Sequence, residues 1–130
     1  IITTWKPVKE CEFFGAICTA LEEIGEVEIS NTMRVPFDYM PGAELAEHFE
    51  AAGFSDLLLG QQTLDLEIEG GVGRATEIAY ATPIGSKLKA LPDEKQDRFR
   101  AGFAGELSRL NGNGARMGRM SSTVLSARKP

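Results

Sequence analysis

The sequence predicts an α/β domain, or α+β if read as a piece of a larger unit, with a three-stranded mixed sheet and four to five helices. Changes of hydrophobic period carry that reading. Over residues 42–52, Leu45, Phe49 and Ala52 recur at i, i+4 and i+7 while Glu44, Glu47 and Glu50 look outward, which is a helical stripe. Gly53 follows, where a helix commonly stops in a left-handed conformation. Beyond it the period falls to two. Leu64, Leu66 and Ile68 alternate with Asp65, Glu67 and Glu69, predicting a strand over 55–69 with one buried and one wet face. A second stripe, Phe99, Phe103, Leu107 and Leu110, predicts a helix over 93–110.

The remaining elements follow in chain order. Residues 1–5 are apolar and β-branched, a strand that Lys6-Pro7 ends because proline cannot donate to a ladder. Residues 8–24 form a first helix with Cys11, Phe14, Ile17, Cys18, Leu21 and Ile24 on its apolar stripe, closed by Gly25. Gly15 within it implies a close packing contact. In 26–34, Val27 and Ile29 alternate with Glu26 and Glu28, a short strand or extended loop. Pro41 suits a first helical position. Gly70-Gly71-Val72-Gly73 is a turn, and 74–91 is helical but broken or kinked by Pro83 and Gly85. Pro92-Asp93-Glu94 opens the next helix with acids in its first turn, matching the helix dipole. Asn111-Gly112-Asn113-Gly114 is a turn, and 117–127 is the last strand.

Composition bounds the function. With 130 residues, 42% apolar and 25% charged, the chain is one globular domain or part of one. A net charge of −5 argues against nucleic acid or an anionic membrane as the main partner, since both need a positive field. The basic residues of the C-terminal third interleave with Asp93, Glu94, Asp97 and Glu106 as a solvated face. No apolar run approaches the ~18 residues of a membrane span. Cys11 and Cys18 lie two helical turns apart, roughly 10 Å, too far for a disulfide. They are expected as free thiols in a reducing compartment, the cytoplasm. The opening residues already read as a buried strand, as though the chain began in mid-domain.

Candidate sites weigh unevenly. Glu67-Ile68-Glu69-Gly70-Gly71-Val72-Gly73 imitates a glycine-rich cofactor turn, but Glu69 stands where the first glycine belongs, so a plain strand exit fits better. His48, the single histidine, has no neighbouring His or Cys and reads as a surface residue. Cys11 and Cys18 sit on the core stripe, where burial makes thiols inert. No catalytic or metal-binding residue is assigned. Trp5, Lys6, Phe37 and Tyr39 are the substrate-pocket candidates: Trp5 closes a strand, and Phe37 and Tyr39 lie on an irregular segment, where α/β sheets bind ligands.

Several motifs taken together resemble one family. They are Ile1-Ile2-Thr3-Thr4-Trp5-Lys6-Pro7-Val8, Phe13-Phe14, Pro36-Phe37, and Leu45-x-x-x-Phe49-Glu50-Ala51-Ala52-Gly53-Phe54-Ser55-Asp56. Thr82-Pro83-Ile84-Gly85, Leu91-Pro92 and the terminal Ala127-Arg128 add to them. From end to end this resembles the C-terminal half of class I S-adenosylmethionine-dependent methyltransferases of the small-molecule type, similar to the ubiquinone and menaquinone biosynthesis enzymes. The resemblance implies a Rossmann-like sheet in which residues 1–5, 55–69 and 117–127 are the fifth, sixth and antiparallel seventh strands, in the order 5-7-6. The family's first four strands, glycine-rich turn and ribose-binding acid have no counterpart here. S-adenosyl-L-methionine is thus the parent enzyme's cofactor, and none is expected to bind this chain alone. A small-molecule methyl acceptor would meet Trp5, Lys6, Phe37 and Tyr39. An unpaired Ile1–Trp5 edge would invite a homodimer. The alternative is a stand-alone dimeric α+β ligand-binding or interaction module without catalysis.

Overall fold

A computed structural model describes residues 1–110 and 114–129. The chain is mixed α+β. Strands β1 (Ile2–Trp5), β2 (Ser55–Glu67) and β3 (Arg116–Arg128) form one sheet in the order β1-β3-β2. Both pairings are antiparallel, so the sheet is not mixed as expected: β1 and β2 run the same way but are separated by β3 and never become neighbours. The helices are α1 (Glu12–Glu23), α2 (Val27–Arg34), α3 (Gly42–Ala51), α4 (Gly71–Ala81), α5 (Gly85–Lys89) and α6 (Asp93–Leu110).

The extra helices have local causes. Residues 26–34 form a helix and not a strand, because Ile29, Ser30 and Met33 bury one helical face and the Ser30 N–H donates to the Glu26 carbonyl at 3.1 Å. One alternation of Val27 and Ile29 was too short to outweigh that i, i+4 spacing. The first helix begins later than 8: Val8–Glu10 is a single 3₁₀ turn, and Cys11 is a bend before α1. Gly71 already opens α4, and the helical segment after it is cut in two around Pro83. The turn expected at 111–114 falls mostly outside the described residues.

The main core lies between α1, α6 and the Met117 end of β3. Phe13, Ile17 and Leu21 of α1 meet Phe99, Phe103 and Leu107 of α6, all buried. Gly102 faces α1, where a Cβ would lie 3.2 Å from Glu23 Oε2 and in ordinary contact, 3.6 Å, with the Ala20 Cβ. Rings run in contact across the molecule, from Trp5 to Phe37 (6.1 Å between centroids), Phe14 (4.8 Å) and Phe13 (5.3 Å). The series continues through Phe103 (5.6 Å), Phe99 (5.7 Å) and Tyr80 (6.0 Å), with the Arg100 guanidinium 5.2 Å above the Tyr80 ring.

Two bulges shape the sheet. At Gly118 (φ +89°) β3 takes an extra residue against β2, and a Cβ would lie 2.7 Å from the Glu12 Cβ. The Glu12 carboxylate accepts the Arg119 N–H there at 2.6 Å. At the other end Asp56 (φ +51°) marks the second irregularity, and Arg128 pairs with it at 3.1 Å. The stripe on α3 is shallower than expected: Leu45 and Phe49 are only half-buried, against the Leu59 and Thr123 side of the sheet. The wet-and-dry alternation of β2 also fails in part. Ile68 is buried and Leu66 half-buried, but Leu64 is 65% exposed, because of these three only Leu66 and Ile68 reach the main core.

No helix among the described residues is long and apolar enough to cross a membrane. Phe103→Ala should lower unfolding free energy by about 3–5 kcal/mol, whereas Leu64→Ala should stay within about 0.5 kcal/mol. Urea titration followed by far-ultraviolet circular dichroism measures both.

Candidate functional site

The four residues singled out from the sequence converge. β1 ends at Trp5, and the Lys6 N–H continues the ladder by donating to the Ser121 carbonyl at 3.0 Å. Trp5, 45% exposed, separates two adjoining grooves of about 520 and 350 Å³. The larger runs along β1 between Thr3, Thr4 and Ser122 on one side and Val35, Pro36, Tyr39 and Met40 on the other. The smaller is walled by Lys6, Phe37, Asp38, Met40 and Gly42. Phe37, in the wall of the smaller groove, is buried, while Tyr39, at the rim of the larger, is 75% exposed. On its other flank Trp5 borders a third groove of about 500 Å³, with Phe13, Phe14, Leu66, Ile68, Ile78 and Met120.

The segment carrying Phe37 and Tyr39 is held by a polar clasp. The N–H groups of Phe37 and Asp38 both donate to the Arg34 carbonyl at 2.9 Å. Asp38 Oδ1 accepts the Val8 N–H at 2.9 Å, tying this segment to the chain just after β1. Arg34 lies 3.8 Å from Asp38 Oδ2 and donates to Glu22 Oε1 at 2.7 Å, and the Ser30 hydroxyl donates to the same oxygen at 2.6 Å. Those two hydrogen bonds, Ser30 first and Arg34 second, hold the Glu22 carboxyl below the usual carboxylate range.

The walls are mostly apolar, so the site suits a planar apolar molecule with a polar edge that Lys6 or Tyr39 can reach. The Thr4 hydroxyl oxygen is buried with no hydrogen-bond partner among the described residues, beside the larger groove. Sequence reading passed over Thr4, Val35, Asp38 and Met40. Only Asp38, a carboxylate between two aromatic residues, carried a visible signal.

The other sites take quieter roles. Cys11 and Cys18 are free and buried. Burial pushes both thiols up, although the Ser121 carbonyl near Cys11 and Ser30 beside Cys18 partly offset it. They are poor nucleophiles at neutral pH. His48 is exposed, 3.9 Å from Glu44 on the same helix. Among the described residues no three His, Cys, Asp or Glu side chains gather as a metal site.

Because the Glu22 pKa is lowered by folding, its contribution is present above the unfolded pKa and is lost as pH falls through the folded one. Glu22→Gln should therefore weaken the protein at pH 7 and flatten its loss of stability below the ordinary carboxylate range, as read by thermal melts between pH 7 and pH 3. No protein-family model matches this chain, and no curated protein matches it.

Proposed function

We propose that this chain is the C-terminal, acceptor-facing part of an S-adenosylmethionine-dependent methyltransferase acting on a small molecule. The observation that carries the reading is the arrangement around Trp5: aromatic grooves open at the end of β1, beside a last strand that runs antiparallel between the other two. In the family that the sequence resembles, the seventh strand lies in the same way between the fifth and sixth. Trp5, Lys6, Phe37 and Tyr39 would receive the methyl acceptor. Their work would be positioning, since methyl transfer depends on holding a nucleophile in line with the activated methyl group.

The residues present do not fit the cofactor. The glycine-rich turn at Gly70-Gly71 leads into α4, but Glu67 and Glu69 line the groove beside Arg74 there. Two carboxylates in that position would repel a cofactor carboxylate, and Arg74 is already paired with Glu77. S-adenosyl-L-methionine would be bound by another part of the enzyme, and no step is assigned to it here. Two buried free thiols agree with a cytoplasmic protein.

A second reading is a stand-alone dimeric α+β module that binds a ligand without catalysis, favoured by the apolar strand edges described below. A labelled-methyl assay on the protein as it occurs in the cell separates the two, since only the first requires transfer.

Trp5 is the single tryptophan, so its emission reports on the grooves. Titration with 2-naphthol, a planar hydroxylated probe, should quench it saturably, and Tyr39→Ala should weaken that binding about tenfold without altering the fold. S-adenosylhomocysteine should leave the emission unchanged. Absence of quenching, or tight S-adenosylhomocysteine binding by this chain, would overturn the assignment.

A further inference from the structure

β2 is the least protected element of the molecule. It is an edge strand of 13 residues, and every one of them is exposed except Leu57 and Leu66, which are half-buried. Leu58 is 72% exposed and Leu64 65%, with Leu59 at 50%. Long edge strands usually carry lysine, proline or inward charges that prevent pairing. From Leu58 to Leu64 this one has none of these.

The stretch is also self-complementary. Antiparallel pairing with a second copy about Gln61 sets Leu58 opposite the partner's Leu64, Leu59 opposite the partner's Thr63 and Gly60 opposite the partner's Gln62. Opposed residues share a face, so the two most exposed leucines of each chain cover one another on one side of the sheet. Shifting the centre to Gly60 would put Leu64 against the partner's Asp56, and shifting it to Gln62 would put Leu59 against the partner's Asp65. Only the register about Gln61 sets Leu58 against the partner's Leu64 while keeping its seven central pairs free of charge. The flanking acids are already matched within the chain, Asp56 by Arg128 and Asp65 by Arg116, each at 3.1 Å. Those two carboxylates therefore bring no unpaired charge to the seam, and Glu67 falls at its outer end, opposite the partner's Ser55.

We propose that β2 is a homodimer interface, two copies pairing antiparallel across a two-fold axis at Gln61 to join their sheets into one. This inference does not rest on the enzymatic reading, and it selects β2 over the Ile1–Trp5 edge that the sequence suggested.

The test uses size-exclusion chromatography with light scattering at 1–100 μM. A dimer is expected for the native chain. Leu58→Glu or Leu64→Lys alone should raise its dissociation constant at least tenfold, and the two together should restore it, because the new acid and base face each other. Both positions are exposed, and circular dichroism confirms folding. Gln61→Cys should give a covalent dimer under mild oxidation, with Cys11 and Cys18 buried and silent. Gln62→Cys should not, since two strand steps along and one across separate its copies by about 8 Å, beyond disulfide reach. A monomer at 100 μM, a dimer indifferent to both leucine variants, or one abolished instead by Ile2→Lys would overturn the proposal.

Discussion

The contact between α1 and α6 is the constraint that the rest of the structure obeys. Phe13 and Phe103 meet edge to face where the two helices pack, with Ala20 beside Gly102, and the residues of the main core gather on that pair. β3 lays Met117 onto it, while Tyr80 of α4 reaches it through Phe99. Burying such rings supplies the largest share of the apolar driving force, and their tilted and edge-on geometries add specificity to it. The same ring series ends at Trp5, so the wall of the grooves is an outgrowth of the core.

A second, polar device fixes what the core leaves free. Residues 35–41 are irregular and would wander if only Phe37 anchored them. Glu22, Ser30, Arg34 and Asp38 form a relay from α1 through α2 to the Val8 N–H. Single exposed ion pairs contribute little, but this one shares a carboxylate between a hydroxyl and a guanidinium and returns to a backbone donor. The grooves are thereby bounded on one side by a strand and on the other by a clasped loop.

Much of this was legible in the residues. The Phe99, Phe103, Leu107 stripe is fully buried, and Trp5, Lys6, Phe37 and Tyr39 line one pair of joined grooves. Periodicity failed where it was short or where tertiary cover was missing. Val27 and Ile29 gave one alternation and formed a helix. Leu64 obeyed the strand pattern yet stayed exposed, since alternation states which residues share a face and not whether anything packs upon it. The clasp was illegible because Glu22 and Asp38 are ordinary surface types until α2 folds between them. The direction of β3 against both neighbours depends on long-range pairing that no local pattern encodes.

Gly118 divides the last strand into two services. Before the bulge Met117 belongs to the large aromatic core; beyond it Leu125 is buried outside that cluster, on the side where α3 has no fully buried residue. Local opening free energy follows the density of buried contacts. The far end of the sheet, with α3 and the start of β2, holds fewer buried contacts than the helical half.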